Sequence, residues 1–302
     1  MTAWLIFVTQ CARMRGAFVT NSFLEGPKFS EPWEMLSAAA RRAGVGMALA
    51  GNADLAAPVG DAEALRRALG DPDFVIFWDK DVRCAENLEL CGMLVMNSSG
   101  CIAACDDKCA THLALSRRGV PSVETVPCPL SFGGYGDTGF LDRAAARLGF
   151  PMVVKDCYGS FGEQVALARD RAELGAMLAG PYRPRILQRY VECGGADVRV
   201  EVVGGEAVAA MERRAPEGEF RSNATLGGSV RPHSPSAEEA GLAAAACEAV
   251  GADFAGVDIL YGPDGPVVCE VNSNAHIMNL RRCTGVDASD AILAHAVRKA
   301  RG

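Results

Sequence analysis

A β-hairpin between Phe254 and Asn274, FAGVDILYGPDGPVVCEVNSN, is the feature that most constrains what this chain can fold into. The tetrapeptide GPDG, residues 262–265, is a strong turn signal between two runs rich in β-branched residues. If the turn is centred on its Pro-Asp dipeptide, the residue numbers of cross-strand partners sum to about 528, which places Asp258 opposite Glu270. Asn272 shares their face because side chains alternate along a strand. The hairpin therefore predicts two carboxylates and an amide side by side.

Two like charges that face each other in an apolar hairpin destabilise it, unless one carboxyl group is protonated or a cation lies between them. A hard cation with oxygen ligands, Mg²⁺ first and Mn²⁺ as the substitute, is the simplest resolution. The alternative is a solvated hairpin whose acids face water. We therefore expect a metal site formed by Asp258, Glu270 and Asn272 only if the rest of the chain supports one.

Composition excludes several classes of protein. With 302 residues, 49% of them hydrophobic, the chain is long enough for two or three lobes. The net charge of -7 is spread along the sequence without a Lys/Arg-rich block, so we expect neither a nucleic-acid nor a membrane partner. No apolar run reaches the length of a membrane span, and no basic segment precedes the apolar run at Ala3–Val8.

The twelve cysteines are scattered over an ordinary globular pattern, which favours reduced thiols in a cytoplasmic protein. Cys101, Cys105 and Cys109 are four residues apart and would line one face of a predicted helix at Cys101–Arg118. A zinc site normally needs a fourth ligand. We therefore interpret these cysteines as small buried residues.

The first part of the chain alternates strand-like and helical runs, which predicts an open parallel α/β lobe that ends near residue 97. It lacks the GxGxxG fingerprint of a dinucleotide site. Residues 1–13 form either an extra strand or a segment before the native start at Met14. The predicted strands are Ala3–Val8, Ala17–Thr20, Gly46–Leu49, Phe74–Trp78 and Leu94–Met96, and the predicted helices are Pro32–Ala43 and Ala62–Leu69.

The rest of the chain has an α+β pattern. The run FPMVVKDCYGSFGEQVALA reads as two strands joined by a loop that contains Gly159, Ser160 and Gly162, with Lys155 at the end of the first strand. Backbone N–H groups of such a loop can bind a phosphate while a lysine adds positive charge. Further elements are the strand Arg185–Glu192, a hairpin turn at Gly204-Gly205, a long polar loop with Arg221 and Asn223, and a helix Ala237–Val250 capped by Ser236.

Lys108, FPMVVK, QRYV, ADVRVEVVGG, EGEFRSN, FAGVDIL and VVCEVNSN stand in an order that closely resembles the RimK-type ATP-grasp ligases. The similarity covers about residues 98–290, and it implies an ATP-grasp fold preceded by an α/β lobe. Members of this family join a carboxylate to an amine, commonly that of an amino acid such as glutamate, through an acylphosphate made from ATP. The implied lobes are residues 1–97 for substrate, 98–187 in the centre and 188–302 with the metal site.

The resemblance also implies roles for individual residues. Lys108 and Lys155 would hold the phosphates of ATP with the Gly159–Gly162 loop, and Arg221, with Asn223 beside it, would stabilise the transferring phosphoryl group. Asp258, Glu270 and Asn272 match the magnesium ligands, in agreement with the hairpin argument. The remaining nucleotide contacts would come from the strand between the lobes and from the segment that follows it: Gln188, Tyr190, Val191 and Asp197.

Several positions depart from the family pattern. The loop carries Phe161 and Glu163, and Arg189 stands where an acid is frequent. The segment after EVN reads SNAHIMNLRR instead of a Ser-Pro-Gly turn, which favours an acceptor other than a ribosomal-protein tail. His276, Arg281 and Arg282 are equally compatible with binding a substrate carboxylate and with a solvated helix face.

Two further groups of polar residues lie outside the motifs named above. Asp79, Lys80 and Asp81 follow a predicted strand at the sheet edge where ligands bind, and Asn21 and Lys28 are weaker candidates there. His112, His233 and His295 have no spacing that indicates a relay or a metal site.

The sequence thus predicts an ATP- and Mg²⁺-dependent ligase acting on an amino acid and a carboxylate-bearing small molecule, peptide or protein. The alternatives are a peptide or D-amino-acid ligase of the same fold, and an ATP-binding protein without catalysis. Alanine-rich helices suit a homo-oligomer without requiring one.

Overall fold

The structure, a computed structural model, describes residues 14–132, 135, 139–159, 164–221, 227–274 and 277–302, apart from the side chain of Lys28. The predicted strand within residues 1–13 lies outside the described residues. The same holds for six residues singled out from the sequence, which are Ser160, Phe161, Gly162, Glu163, Asn223 and His276.

The first sheet is fully parallel, as predicted. Its strand order is β2-β1-β3-β4, with β1 at Arg15–Thr20, β2 at Gly46–Gly51, β3 at Phe74–Phe77 and β4 at Val95–Met96. The strands are connected by crossover helices, since parallel neighbours cannot be joined by tight turns. These helices are α1 (Pro27–Ala43), α2 (Ala62–Leu69) and α3 (Val82–Leu90).

The helices of this lobe differ from the prediction in two ways. Helix α1 begins at Pro27, not at Pro32, because proline suits the first turn, where its missing N–H has no partner in any case. Helix α3 was missed. Its signal is Asp81, whose side chain accepts a hydrogen bond of 3.0 Å from the backbone nitrogen of Cys84 and so caps the helix.

The second sheet is antiparallel, with strand order β5-β8-β6-β7. The strands are β5 (Thr125–Pro127), β6 (Met152–Asp156), β7 (Val165–Ala168) and β8 (Arg185–Arg189). Two helices precede the sheet and two are inserted between its strands: α4 (Ser99–Asp106), α5 (Lys108–Arg117), α6 (Phe140–Leu148) and α7 (Arg171–Met177).

The prediction of one continuous helix at Cys101–Arg118 is wrong, because the chain is extended at Asp107. The carboxylate of Asp107 accepts hydrogen bonds of 2.8 and 3.2 Å from the next helix's first free N–H groups, so it starts a new helix. Cys101 and Cys105 therefore lie buried on α4, whereas the half-buried Cys109 lies on α5. The three thiols do not share one helix.

The third sheet is antiparallel, with strand order β11-β10-β9-β12-β13. The β9–β10 hairpin turns at Gly204 and Gly205, whose φ values of +59° and +84° require glycine or a similarly tolerant residue. The strands are β9 (Ala196–Val203), β10 (Glu206–Arg214), β11 (Ser229–His233), β12 (Phe254–Gly262) and β13 (Gly265–Asn272), and the helices are α8 (Ala237–Val250), α9 (Ile277–Thr284) and α10 (Ala288–Arg301).

The predicted pairing in the β12–β13 hairpin is confirmed, since Asp258 lies opposite Glu270. The register shifts just beyond this pair, where Ile259 faces Val268 and leaves Cys269 as the extra residue of a β-bulge. The predicted face with Asp258, Glu270 and Asn272 therefore depends on a bulge that the sequence does not announce.

Two apolar clusters set the orientation of the third sheet. Val198, Val200 and Val202 of β9 pack against α8 on one face. On the other face, Phe254 packs with the first sheet and with α10, and the Trp78 ring stacks on it at 5.3 Å between centroids. The alternate positions of β9 therefore face away from α8. Within the described residues, no helix is long and apolar enough to cross a membrane.

Asn97, which is fully buried after β4, joins the first sheet to the third. Its amide donates to the carbonyl oxygens of Phe254 and Ser273 at 2.8 and 3.0 Å. Its Oδ1 accepts from the backbone nitrogens of Asp253 and Phe254 at 2.8 and 3.2 Å. One side chain thus satisfies backbone groups at the start of β12 and just after β13.

Replacing Asn97 with Ala is expected to lower the free energy of unfolding by at least about 3 kcal/mol, because it leaves several buried backbone groups without partners. Chemical denaturation measures this loss. The matched control is Asn87→Ala, which removes a single hydrogen bond from the backbone nitrogen of Gly60, 2.9 Å long and partly exposed. Equal losses in the two variants would contradict the role assigned to Asn97.

Candidate active site

A cavity of about 540 Å³ lies between the three sheets. Every described residue to which the resemblance assigns a role lines it: Lys108, Lys155, Gly159, Gln188, Tyr190, Val191, Asp197, Arg221, Asp258, Glu270 and Asn272. They come from distant parts of the chain, so the fold brings together the set that the motifs indicated. Their roles remain predictions.

Both predicted phosphate-binding lysines are buried beside acidic or polar partners. Lys108 opens α5, and its Nζ donates to the carbonyl oxygen of Gly159 at 3.0 Å and lies 3.6 Å from a Glu270 carboxylate oxygen. Lys155, on β6, lies 3.5 Å from the sulfur of Cys269. Burial lowers the pKa of Lys155, but Cys269, Glu270 and Asp258 raise it, and the net direction is upward. Lys155 is therefore positive, and both lysines contact the hairpin strand β13, Lys108 at Glu270 and Lys155 at Cys269.

Gln188 lies on β8, the last strand of the second sheet before the chain enters the third. Its side-chain amide has two hydrogen-bond partners. Its Nε2 donates to the Nε2 of His112 at 2.7 Å and to the hydroxyl of Thr125 at 2.8 Å. Burial and the charge of Lys155 lower the pKa of His112 to about 4, so the ring is neutral and accepts this bond. This partner of His112 could not be predicted, because Gln188 lies 76 residues away along the chain.

Arg189, the departure from the family pattern next to Gln188, forms an exposed network. It donates to a carboxylate oxygen of Glu124 at 2.9 and 2.6 Å, and to the carbonyl oxygen of Arg147 at 3.0 Å. Its guanidinium group thus ties β8 to α6 and to the segment before β5, and the residue also lines the cavity.

Arginines offset the negative charge of one of the two hairpin carboxylates, that of Asp258, and the metal site at Asp258, Glu270 and Asn272 stays a prediction. Asp258 accepts hydrogen bonds of 2.6 and 2.7 Å from Arg199, and the Nη2 of Arg213 lies 2.8 Å from its Oδ2. Arg213 also binds Asp197 at 2.7 Å through Nε. Burial raises the pKa of Asp258, but the two arginines outweigh it and hold it at about 2.

Arg199 and Arg213 were not predicted as site residues, although an alternation of charged residues along β9 indicates one of them. Asp197, Arg199 and Glu201 alternate along β9, on the face opposite the valines that pack on α8. The register then places Arg199 beside Asp258 and Arg213 beside Asp197. A row of opposite charges across three strands follows from this alternation.

Glu201 continues this row into the interior, where its Oε1 has no hydrogen-bond partner among the described residues. Burial raises its pKa from an ordinary 4.5 to about 7. The folded protein therefore holds this proton more tightly than the unfolded chain, and the resulting stability is complete below about pH 4.5 and is lost as the pH rises through about 7.

Replacing Glu201 with Gln is expected to raise the free energy of unfolding at pH 8 by up to about 3 kcal/mol, while leaving it roughly unchanged near pH 4.5. Urea denaturation at the two pH values measures this. Glu206→Gln, at an exposed position of the hairpin turn, is the control and should change neither value. An effect of Glu201→Gln that is equal at both pH values would contradict the raised pKa.

Arg221 lines the cavity at the edge of the undescribed segment 222–226. Its guanidinium group binds Glu219 at 2.7 Å and lies over the ring of Phe220. The hydrogen bond from Arg221 holds the pKa of Glu219 at about 2, so the pair is charged. The arginine thus lines the same cavity as the two lysines and has a local carboxylate partner.

The hairpin face was tested as a binding site for a hard cation. Asn272 donates through Nδ2 to the carbonyl oxygen of Gly256 at 3.5 Å, which leaves its Oδ1 as an acceptor beside Glu270. Asp258 adds carboxylate oxygens that already accept from arginines. Oxygen donors of this kind fit Mg²⁺. No group of three or more His, Cys, Asp or Glu side chains with metal-site geometry occurs in the described part of the chain.

The proposed carboxylate-binding role of Arg281 and Arg282 is not supported. Arg281 lies 3.6 Å from Asp287, Arg282 lies 2.6 Å from Glu31, and neither lines the cavity. The sequence could not show this, because Glu31 is distant along the chain. Asn279, on the same helix, does line the cavity.

The other two histidines also have structural partners outside the cavity. His233 lies 2.9 Å from Glu239 near the start of α8, and His295 lies 2.8 Å from Asp253. Neither pair contributes to the candidate site.

The architecture of three sheets around one cavity matches that of known ATP-grasp structures. The crystal structure of a RimK domain ATP-grasp protein from Sphaerobacter thermophilus aligns with a TM-score of 0.69 over 94% of this chain and 99% of that one, at 22% sequence identity. The fold is therefore the ATP-grasp fold.

Sequence comparisons then define the family. The profile of the RimK-like ATP-grasp domain matches residues 105–296. A probable alpha-L-glutamate ligase from Thioalkalivibrio sulfidiphilus is 36% identical over 217 residues, which are 70% of each chain. Beta-citrylglutamate synthase B from Danio rerio is 35% identical over 219 residues, 71% of this chain and 53% of that relative, so the chain spans about half of its length. The chain belongs to the RimK-like ATP-grasp family of carboxylate–amine ligases.

Proposed function

We propose that this protein uses ATP to join the carboxylate of one substrate to the amino group of an amino acid, with ADP and phosphate as products. The observation that carries the proposal is the cavity in which Lys108, Lys155 and Arg221 face Glu270 and Asn272. Phosphoryl transfer depends mainly on positioning and charge neutralisation, which three cationic side chains can provide.

Within this proposal, Lys108 and Lys155 hold the phosphates, with Lys108 fixed by its bond to Gly159. The fixed amide of Gln188, with Tyr190 and Val191, orients the base, and Asp197 keeps Arg213 in place. Arg221 and Asn223 contact the transferring phosphoryl group. Asp258, Glu270 and Asn272 would hold Mg²⁺, which when bound neutralises phosphate charge.

We propose glutamate as the amino acid, because both sequence relatives named above carry glutamate in their names. The described cysteines are free thiols, which fits a reducing compartment such as the cytoplasm. We also propose three lobes, with the second boundary moved from residue 187 to after Arg189, because β8 pairs with β6 through Arg189.

Trapping with hydroxylamine tests the proposed reaction. Purified protein with ATP, Mg²⁺ and candidate carboxylates should release ADP and phosphate and form a hydroxamate, because hydroxylamine attacks an acylphosphate in place of the amine. Release of AMP and diphosphate would contradict the acylphosphate route. Binding of ATP without any turnover across carboxylates and amines would instead favour an ATP-binding protein without catalysis.

A further inference from the structure

The end of the cavity formed by the first sheet has a polar lining that the proposed nucleotide contacts do not use. Its residues follow the carboxyl ends of β1 and β3, where open parallel sheets bind ligands. They are Thr20, Asn21, Trp78, Asp79 and Lys80.

Asp79 and Lys80 are the two charged side chains at this end of the cavity, and among the described residues only Lys80 has an ion-pair partner. It is only 7% exposed, and its carboxylate accepts from the amide of Asn21 at 3.2 and 3.1 Å and from that of Asn52 at 3.3 Å. No lysine, arginine or histidine in the described part of the chain forms an ion pair with it, and the neighbouring Lys80 binds Asp106 at 2.6 Å. Neutral amides therefore orient a buried carboxylate, and the one neighbouring positive charge that acts on it, Lys80, forms its ion pair with Asp106 instead.

A second acceptor lines the same cavity. The Oδ1 of Asn274 is buried and has no donor among the described residues. Asn274 follows β13 at the point where Asn97 binds the carbonyl oxygen of Ser273, and Trp78 stacks on Phe254 close by in the fold. The exit of the carboxylate hairpin therefore packs against the end of the first sheet that bears Asp79.

We propose that Asp79, assisted by Asn274, forms the subsite that binds the ammonium group of the amine substrate. The inference rests on the proposed function and deepens it by assigning a recognition group to one substrate. An ammonium group brings a positive charge and three donors, which match a carboxylate and an unpaired amide oxygen. A substrate carboxylate or phosphate at this position would be repelled by Asp79.

Thermal-shift titration in the presence of Mg²⁺ and a non-hydrolysable ATP analogue tests this subsite. The twenty L-amino acids are the probes for wild type, Asp79→Asn and the control Asp61→Asn. Asp61 lies in the same lobe, but it caps α2 and does not line the cavity, and asparagine also caps helices well. At least one amino acid should bind wild type, bind Asp79→Asn roughly 10- to 100-fold more weakly, and bind Asp61→Asn unchanged.

The ATP analogue should stabilise all three proteins equally, which shows that the variants are folded. If Asp79→Asn does not fold, wild type alone still tests the subsite. N-acetylation removes the ammonium group of the bound amino acid and should abolish its binding. Equal amino-acid binding by Asp79→Asn and wild type, undiminished binding of the N-acetyl derivative, or no amino-acid binding by wild type would overturn the subsite. Failure of wild type to bind the ATP analogue would instead contradict the proposed function.

Discussion

Replacing Glu270 with Gln is expected to reduce ATP turnover roughly 100-fold or more while the protein stays folded. The substitution keeps the shape of the side chain and removes the charge that faces Lys108 at 3.6 Å and that would contact Mg²⁺. Loss of one such electrostatic contact at a reacting phosphoryl group costs on this order. Phosphate release measured against substrate concentration gives the effect.

The matched control is Glu248→Gln. Glu248 is exposed on α8, outside the cavity, and pairs with Arg118 at 3.1 Å at the surface. It should retain wild-type turnover, and both variants should show wild-type unfolding curves. Turnover of Glu270→Gln within a few-fold of wild type would defeat the assignment of Glu270.

Replacing Arg213 with Met is expected to lower the free energy of unfolding by about 3–5 kcal/mol, because it leaves two buried carboxylates without their shared cation. Arg213 is buried between Asp197 and Asp258. The neighbouring Arg214 is exposed and pairs with Glu212 at 3.2 Å. Arg214→Met is therefore the control, with an expected loss below about 1 kcal/mol.

Denaturant titration of both arginine variants measures the difference, with the ATP-free protein so that binding does not add stability. A loss for Arg213→Met no larger than that for Arg214→Met would show that the ion pairs of Arg213 with Asp197 and Asp258 do not stabilise the fold. The register supports a large difference, because consecutive strand residues point to opposite faces.

Local patterns predicted much of the fold. Strand–helix alternation was sufficient for the parallel sheet, and the GPDG turn located the β12–β13 hairpin, but the Asp258–Glu270 pairing also depends on the bulge at Cys269. What failed depended on single residues that compete with a periodic pattern. Asp107 breaks a helix by capping the next one, and the bulge at Cys269 shifts the register without a glycine or proline to mark it.

The candidate site shows the same division. Motifs located the lysines, Arg221 and the hairpin acids, since each motif is contiguous in sequence. Contacts between distant segments were not accessible, so the His112–Gln188 bond and the Arg282–Glu31 pair could not be predicted. The arginines that neutralise Asp258 required the order of β10, β9 and β12 in the sheet, which a single sequence leaves open.

Mass spectrometry of the products tests the central claim most directly. Purified protein is incubated with ATP, Mg²⁺ and amino acids, singly and in pairs, together with candidate carboxylates. Our account predicts a new species heavier than the carboxylate substrate by one amino-acid residue, formed with ADP and absent with Glu270→Gln. ATP consumption with no such product for any combination, or a product that Glu270→Gln forms equally well, would contradict it.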